Sequence, residues 1–322
     1  MKKKVFLTRT LQDGAVKQLK KKYQIEVHSG KIPIPESKLR LKIRDIDGLI
    51  CFPYDRINKE TMEMAKNLKV ISTYSVGFDH IDTEFAKKRK IRVGYTPEVL
   101  TNATADLAFT LLLDILRRVS EGDRVIRLGK WKTVYGADDF VGFDLQEKTL
   151  GILGLGRIGK ALAKRAKAFD MKIIYHNRNR LPITREKMLG IKYSSFDKLI
   201  RQSDIVSIHV PHTKETNQLI NIKIFKKMKS SAFLINTSRG KIVDQKDLVN
   251  ALKKKIIAGA GLDVFETEPI NEKNPLVKLE NVVLSPHIGS STVETRNKMA
   301  KITVKNLELG INQKKPIYSV GY

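Results

Sequence analysis

The sequence predicts an α/β protein made of two doubly wound domains, each with a parallel sheet covered by helices. Short apolar runs alternate with helical patterns along the whole chain, which is the arrangement that parallel sheets require. Within residues 149–180 a strand, a glycine-rich turn, a helix and a second strand follow in that order. A chain of 322 residues is long enough for two domains, each with its own core.

Residues 1–100 carry a repeated strand–helix pattern of their own. The predicted strands are 4–8, 24–28, 48–52, 70–74 and 91–95, and the predicted helices are 13–23 and 59–67. Runs such as 48–52 are almost wholly apolar, which is typical of strands buried on both faces. This part of the chain has no glycine fingerprint. We therefore expect a flavodoxin-like sheet without a nucleotide-binding turn.

The loop that follows strand 70–74 is a candidate ligand site. It lies at the carboxyl end of a predicted strand, where open α/β sheets bind their ligands. Gly77 in this loop can leave backbone N–H groups free to bind an anion. His80 has no evident orienting partner in the pattern, so we interpret it as structural and not catalytic.

Residues 101–118 predict a long helix, with Thr101 or Asn102 as its cap and basic residues at its end. Its apolar positions cover a wide arc, so we expect it to bury a second face against the other domain or a second subunit. Residues 129–145 show no clear period and contain the only tryptophan, Trp131. We interpret them as an ordered loop that could line a dimer interface.

The glycine-rich turn in residues 149–180 predicts a dinucleotide site. Gly154 allows the tight turn, Gly156 lets the backbone approach a pyrophosphate, and Gly159 lets the helix pack closely on the strand. The pyrophosphate would lie at a helix N-terminus, where free N–H groups favour an anion. Strand, glycines, helix and second strand in register are typical of a Rossmann domain. An ordinary strand-to-helix turn that needs glycine is the alternative.

The residues after the second strand of this unit predict the cofactor. A site for NAD usually has an acidic residue here, which accepts from the ribose 2′-OH. This chain instead has Asn177, Arg178 and Arg180, with no acid before Glu186. An arginine can pair with a 2′-phosphate, so we expect NADPH to be preferred over NADH. The alternative is that these arginines are ordinary surface charges.

The second half of the chain continues the same pattern. Strands are predicted at 204–210, 233–236, 258–264 and 281–284, and polar residues follow each of them. A closing helix, 294–309, could pack back on the first domain. We therefore predict a discontinuous substrate-binding domain, 1–100 with 289–322, and a dinucleotide-binding domain, 101–288.

Three polar residues follow three of these strands, namely Arg239, Glu268 and His287. The planar fork of an arginine can hold a carboxylate and polarise a carbonyl. A histidine can give a proton to a developing alkoxide near neutral pH. A carboxylate can orient that imidazole and favour its protonated form. Each residue alone could be a surface charge, a turn acid or a structural histidine, but together they predict a reductase of 2-oxo acids.

Composition limits the partners of the protein. The formal charge of +27 is spread along the chain and forms no basic stripe with interleaved aromatic residues, so we expect no nucleic-acid partner. No apolar run is long enough for a membrane helix, and Val5–Leu7 is too short for a signal peptide. The single cysteine, Cys51, excludes an intrachain disulfide and suits a reducing compartment. We expect a cytoplasmic protein without a metal.

Several stretches together resemble one known family. They are 70–82 (VISTYSVGFDHID), 92–106 (RVGYTPEVLTNATAD), 149–159 (TLGILGLGRIG), 236–240 (NTSRG), 259–269 (GAGLDVFETEP) and 286–291 (PHIGSS). The chain resembles the D-isomer-specific 2-hydroxyacid dehydrogenases, and within them the glyoxylate/hydroxypyruvate reductase branch. It departs from the common pattern in lacking the aspartate after the second strand and in having His212 where leucine is frequent.

The resemblance implies roles for individual residues. Val76 and Gly77 would bind the substrate carboxylate with Arg239, and His287 would be the general acid paired with Glu268. The cofactor set would comprise Leu155, Gly156, Arg157 and Ile158 at the pyrophosphate, Asn177 and Arg178 at the 2′-phosphate, Val210, Pro211 and Thr216 at the adenosine, and Thr104, Thr237 and Asp263 at the nicotinamide. Asp263 would hold the carboxamide. The family is usually homodimeric through its cofactor domains, which would suit helix 101–118.

The function that these observations predict is reduction of glyoxylate or hydroxypyruvate to the 2-hydroxy acid, with NADPH preferred and NAD as the second cofactor. Two alternatives stay open. The substrate could be a different 2-oxo acid, as in a phosphoglycerate-type dehydrogenase or for a bulkier branched acid. The chain could also be a corepressor-like binding protein whose contacts depend on the bound cofactor, although the intact set of Arg239, Glu268 and His287 argues for catalysis.

Overall fold

The computed structural model describes residues 2–30 and 33–321 and has the predicted α/β architecture. The chain forms two compact units, Met1–Leu100 with Ser290–Tyr322, and Thr101–Gly289. We refer to them as the discontinuous unit and the central unit. No helix within the described ranges combines the length and apolarity needed to span a membrane.

Most elements are short, and the strands alternate with helices. The strands are β1 (Lys4–Leu7), β2 (Gln24–Val27), β3 (Gly48–Cys51), β4 (Val70–Thr73), β5 (Arg92–Gly94), β6 (Thr149–Leu153), β7 (Lys172–His176), β8 (Lys192–Tyr193), β9 (Ile205–Ile208), β10 (Phe233–Asn236), β11 (Gly259–Leu262), β12 (Val282–Leu284) and β13 (Ser319–Val320). The helices are α1 (Asp13–Lys22), α2 (Glu36–Lys42), α3 (Lys59–Met64), α4 (Thr83–Lys88), α5 (Thr101–Arg117), α6 (Val119–Arg127), α7 (Arg157–Lys167), α8 (Ile183–Leu189), α9 (Phe196–Gln202), α10 (Ile222–Phe225), α11 (Gln245–Lys253) and α12 (Val293–Ile311).

The discontinuous unit contains a sheet with the strand order β13-β5-β4-β3-β1-β2. Its five longer strands are parallel, and β13 pairs antiparallel to β5 at one edge. Without β13 the order is the flavodoxin-like 2-1-3-4-5. Helix α12 covers β3, β4 and β5. Thr292 caps its N-terminus, because the Thr292 side chain accepts from the N–H of Thr295.

The central unit contains a parallel sheet with the strand order β12-β11-β10-β9-β6-β7-β8. Counted within the unit this is the doubly wound order of a Rossmann domain, with one added strand at the β12 edge. Neighbouring residues of a strand enter different cores, because side chains alternate between the two faces of a sheet. Phe233 and Ile235 join the cluster under α5 and α7, whereas Leu234 joins the cluster under α9 and α11.

The wide apolar arc of α5 is buried inside its own unit. Eight of its residues are buried, and the helix packs against α7 and against β10, β11 and β12. Packing within the central unit accounts for these buried positions. Eight of the exposed large apolar side chains in the described residues lie further on, in α6 and in the irregular segment 128–143.

The predicted strands and long helices lie within about two residues of their observed bounds. The exception is the predicted helix 59–67, which ends at Met64. Several short elements have no counterpart in the prediction, namely α2, α4, α6, α8, α9, α10, α11, β8 and β13. Apart from α6 and α11, these helices have at most seven residues. A run of two turns or fewer shows too little of the helical period to be recognised.

Candidate active site

The turn after β10 places Arg239 at the carboxyl end of the central sheet. Asn236 shapes this turn, since its Nδ2 donates to the Arg239 carbonyl (3.0 Å) and its Oδ1 accepts from the Ser238 N–H (3.0 Å). Gly240 follows, and a Cβ there would lie 1.9 Å from the carbonyl carbon of Phe265. Only glycine therefore lets the Arg239 turn pack against the loop that carries Glu268.

Glu268 and His287 form the predicted pair. Nδ1 of His287 lies 2.6 Å from Oε2 of Glu268, and Oε1 of Glu268 accepts from the N–H of Phe265 at 2.9 Å. Both side chains are mostly buried, with 24% and 15% of their surfaces exposed. Since an ionised carboxylate can only accept, Nδ1 of His287 is the donor in this bond. Both carboxylate oxygens are thus engaged, which fixes the orientation of the ring.

Asp263 stabilises the loop that carries His287 through hydrogen bonds. One carboxylate oxygen of Asp263 accepts from Ser285 Oγ (2.6 Å) and the Ile288 N–H (2.8 Å), and the other accepts from the Gly289 N–H (2.9 Å). Thr104 adds a bond from its hydroxyl to the Gly289 carbonyl (3.0 Å). Burial raises the pKa of Asp263 despite these donors. Thr104 and Asp263, two of the three predicted nicotinamide contacts, therefore support the His287 loop, while their binding to a cofactor stays a prediction.

The three glycines after β6 differ in the space that a Cβ atom would have at each position. Gly154 has a φ of +98°, and a Cβ there would meet the backbone of His209 and Val210 at 2.7 Å. A Cβ on Gly159 would lie 2.5 Å from the Gly154 carbonyl oxygen. Around Gly156, however, nothing lies within 4 Å. The turn is therefore closed on its inner side and open where a pyrophosphate would approach the start of α7.

The end of β7 shows which polar residues can face a cofactor. Asn177 accepts from the Leu155 N–H at 2.6 Å, so this amide holds the glycine turn and that N–H is engaged. Arg180 makes two bonds of 2.8 Å to Glu186 and lies over the ring of Tyr193. The bond from Arg180 lowers the pKa of Glu186 to about 2. Arg178 is exposed and has no hydrogen-bond partner among the described residues.

The predicted adenosine residues form a compact turn after β9. Thr216 Oγ1 accepts from the Thr213 N–H and donates to the Pro211 carbonyl, each at 2.7 Å. The carbonyl of Val210 accepts from Ser238, which ties this turn to the one that carries Arg239. His212, the unusual residue here, is 3.0 Å from Asn217 Oδ1.

The structure adds residues that the sequence did not single out. Asn236 and Ser285 are the clearest, because both hold the loops of the catalytic candidates through side-chain bonds. Asn236 closes a buried strand, a position where a polar side chain could have been recognised as a turn clamp. His209 lies against Gly154, and burial lowers its pKa to about 4, so it is neutral.

The residues of the central unit fit a dinucleotide. The open space at Gly156 is one observation, and the first-turn N–H groups of α7 are another. The hydroxyl of Thr237 is buried without a hydrogen-bond partner in the described parts of the chain, which suits a polar ligand group. No cluster of metal-ligating side chains occurs among the described residues.

In the discontinuous unit, Val76 and Gly77 follow β4 as predicted. Both are partly exposed, and neither backbone N–H has an acceptor among the residues described. The Ser75 hydroxyl donates to the Gly77 carbonyl at 2.6 Å. Two adjacent N–H groups without partners can bind a carboxylate. His80 has a partner after all, since its Nε2 is 3.0 Å from Thr73 Oγ1.

Comparison with known proteins agrees with this geometry. Residues 109–289 match the model of the D-isomer specific 2-hydroxyacid dehydrogenase NAD binding domain. Glyoxylate reductase of Thermococcus litoralis is 50% identical over 310 residues, which cover 95% of this chain and 93% of that protein. A crystal structure from Thermus thermophilus has a TM-score of 0.91 at 44% identity and covers 98% of this chain and 99% of that one.

An NADPH-dependent glyoxylate/hydroxypyruvate reductase from Sinorhizobium meliloti, whose structure contains NADP and malonate, is more distant in sequence. It has a TM-score of 0.88 at 30% identity and covers all of this chain and 97% of its own. With a matched family model over the central unit and relatives that extend over nearly the full length, the chain belongs to the D-isomer-specific 2-hydroxyacid dehydrogenase family, in the glyoxylate reductase branch, and is an NAD(P)-dependent oxidoreductase.

Proposed function

We propose that this enzyme reduces glyoxylate and hydroxypyruvate to their 2-hydroxy acids, with NADPH preferred over NADH. The observation that carries this function is the His287–Glu268 pair next to the Arg239 turn, in a unit that also contains the dinucleotide fingerprint. The substrate class is supported by the glyoxylate reductase of Thermococcus litoralis, at 50% identity.

His287 is the proton donor in the proposed reaction. Reduced nicotinamide, when bound, supplies the hydride that adds to the carbonyl carbon. Because Nδ1 of His287 already donates to Glu268, the proton for the carbonyl oxygen comes from Nε2. Glu268 stabilises the imidazolium before transfer and keeps the ring oriented after it.

Arg239, Val76 and Gly77 bind the substrate in this proposal. The guanidinium of Arg239 can hold the carboxylate and polarise the carbonyl, which favours the negative oxygen that forms in the transition state. The N–H groups of Val76 and Gly77 supply two more donors for the carboxylate. In the proposed reaction these donors would bind the carboxylate of the 2-oxo acid.

The cofactor preference rests on Arg178. An acid that would repel a 2′-phosphate is absent after β7, and Arg178 is exposed while Arg180 is engaged by Glu186. Asn177 supports the glycine turn and leaves its NH2 group to donate. Val210, Pro211 and Thr216 would contact the adenosine, and Thr237 and Asp263 the nicotinamide.

The proposed assembly is a homodimer formed through α6 and the segment 128–143. The large apolar side chains exposed there are Val119, Ile126, Leu128, Trp131, Val134, Tyr135, Val141 and Phe143. A monomer rarely exposes so many neighbouring apolar groups. Sedimentation equilibrium should give twice the chain mass, and a single species of 36.6 kDa would refute the dimer.

A substrate panel tests the proposed function. The purified enzyme is assayed with glyoxylate, hydroxypyruvate, phosphohydroxypyruvate and a branched 2-oxo acid, each with NADPH and with NADH. We expect the highest kcat/KM for the first two acids with NADPH. A preference for phosphohydroxypyruvate would indicate a phosphoglycerate-type dehydrogenase, and cofactor binding without turnover would indicate a corepressor-like protein.

The variant His287→Ala tests the proposed role of His287 as the proton donor. It should lower kcat by about 100-fold or more, since general acid catalysis contributes that much. Its dissociation constant for NADPH should be unchanged, which distinguishes a catalytic loss from misfolding. A kcat near that of the wild type would remove His287 from its assigned role.

A further inference from the structure

A chain of hydrogen bonds lies behind the free N–H groups of Val76 and Gly77. His80 Nε2 is 3.0 Å from Thr73 Oγ1, Thr73 Oγ1 is 2.7 Å from Ser75 Oγ, and Ser75 Oγ is 2.6 Å from the Gly77 carbonyl oxygen. Thr73 is fully buried, and Ser75 is 5% exposed. The chain therefore runs from the end of strand β4 into the loop, and its two hydroxyl groups are buried while His80 and Gly77 are partly exposed.

The direction of this chain follows from its last acceptor. A carbonyl oxygen can only accept, so the single proton of the Ser75 hydroxyl points to Gly77. Thr73 must then donate to Ser75, and His80 must donate to Thr73 through Nε2–H. Cys51, which is 3.9 Å from His80 Nε2, is fully buried, and burial raises the pKa of its thiol. It therefore carries no charge that would compete for these protons.

The Ser75–Gly77 bond spans the two peptides that carry the free N–H groups. It closes a small ring across Val76, so neither peptide can rotate without breaking this partly buried hydrogen bond. Thr73 is the last residue of β4 and anchors the ring to the sheet. A chain whose donors all point one way also strengthens each of its bonds.

We propose that Thr73, Ser75 and His80 are positioning residues that hold the Val76 and Gly77 N–H groups in the geometry that binds the substrate carboxylate. The inference rests on the proposed function, because it concerns the same substrate group. The network touches neither substrate nor cofactor directly. It should therefore affect the KM for the 2-oxo acid and leave cofactor binding unchanged.

The test compares two substitutions at one position. Thr73→Val keeps the shape and removes the hydroxyl, whereas Thr73→Ser keeps the hydroxyl and removes a methyl group. We expect Thr73→Val to raise the KM for glyoxylate about tenfold, the loss expected for a misplaced hydrogen bond to a charged group. Its kcat should stay within about twofold of the wild type, and its NADPH dissociation constant should be unchanged. Thr73→Ser should have a KM close to that of the wild type.

A second variant guards against misfolding at Thr73. Ser75→Ala removes only the middle hydroxyl and should reproduce the rise in KM, with a Tm that confirms a folded protein. Equal KM values in Thr73→Val, Thr73→Ser and the wild type would overturn the inference, as would equal increases in both variants. If the wild type reduces none of the 2-oxo acids, the proposed function and this inference both fail. If it reduces them and KM is insensitive to Thr73, only this inference fails.

Discussion

Among single residues, Glu268 does most to define the chemistry of the site. Its two oxygens have different partners, the N–H of Phe265 and Nδ1 of His287. Both partners are donors, and only a carboxylate can accept from both at once. An acid at this position therefore selects the tautomer of His287 and supplies the charge that favours an imidazolium.

The first prediction concerns Glu268→Gln. Glutamine has one acceptor and one donor group, so it can satisfy Phe265 or the Nδ1–H of His287 but not both. We expect kcat for glyoxylate reduction to fall about 100-fold, at the low end of the range for general acid catalysis. Stopped-flow measurement of NADPH binding should show unchanged affinity. A variant with full activity would mean that Glu268 is only a turn residue.

Arg178 and Arg180 are two residues apart and have different surroundings. Two of the three guanidinium nitrogens of Arg180, Nε and Nη2, donate to Glu186. Glu186 is buried and also accepts from the hydroxyl of the buried Tyr175 at 2.8 Å. Arg178 is exposed. The pKa of Glu215 is lowered chiefly by the bond from Thr213, and the charge of Arg178 contributes to the same lowering. Sequence alone treats both arginines alike, because the partner of Arg180 follows in the next helix.

The second prediction uses this pair as test and control. Arg178→Ala should raise the KM for NADPH about tenfold or more and leave the KM for NADH unchanged, because it removes a charge-assisted pair with the 2′-phosphate. Arg180→Ala should change neither KM. Equal effects of Arg178→Ala on both cofactors would exclude a 2′-phosphate contact.

Arg180→Ala should instead change how stability depends on pH. The folded-state pKa of Glu186 is depressed to about 2 from an ordinary 4.5, so the pair contributes stability above pH 4.5 that is lost as pH falls toward 2. In denaturant unfolding, the free energy of unfolding of Arg180→Ala should be lower than that of the wild type at neutral pH. The two values should become equal in acid. An equal difference in the free energy of unfolding at both pH values would contradict the stabilising ion pair.

The glycine turn between β6 and α7 shows how one element separates stability from binding. Gly154 and Gly159 are close to backbone atoms, whereas Gly156 borders open space. The same sequence motif thus contains two glycines needed for the fold and one needed for the ligand.

The third prediction follows from this difference. A Cβ at Gly159 would be 2.5 Å from the Gly154 carbonyl oxygen, so Gly159→Ala should lower the free energy of unfolding by about 1–3 kcal/mol. Gly156→Ala should leave Tm nearly unchanged, because its φ of −79° is open to alanine and no atom is near. It should still weaken NADPH binding by about tenfold or more, since the methyl group lies where the pyrophosphate approaches. A marked loss of Tm in Gly156→Ala would contradict this separation.

A helix or strand can be predicted when the sequence pattern that indicates it lies within the element itself. Strands such as β3 and β11 are wholly buried and contain only apolar residues and glycine, so the apolar run is itself the signal. Arg239, Glu268 and His287 were recognisable because each follows such a strand. Asp263 and Thr73 were not recognised as residues that hold these loops, because their partners depend on side-chain geometry that spacing does not contain. The covering of the wide apolar arc of α5 by α7 and the sheet could not be predicted for the same reason.

At the scale of the whole molecule, the excess of cations is the dominant physical feature. The chain has 61 Lys and Arg against 34 Asp and Glu. One cleft at the amino ends of the strands in the discontinuous unit is lined by nine Lys and Arg and two aspartates. Asp47 lies among them, 3.2 Å from Lys3 and 3.3 Å from Lys69. Burial opposes its ionisation, but the Lys4 N–H and these ammonium groups lower its pKa overall.

The fourth prediction is that salt acts in opposite directions on stability and on catalysis. Raising ionic strength from about 10 mM to about 150 mM shortens the Debye length from about 30 Å to about 8 Å. Because positive charges outnumber negative ones, screening should weaken the net repulsion within the folded chain and stabilise it. We expect Tm to rise by roughly 2–4 °C, which corresponds to about 1 kcal/mol. The same screening weakens the attraction of anionic substrate and cofactor, so kcat/KM should fall several-fold while kcat stays constant. Parallel thermal unfolding and steady-state assays check this, with kcat as the internal control. A Tm that falls with salt would mean that ion pairs such as those of Asp47 outweigh the net repulsion of the chain.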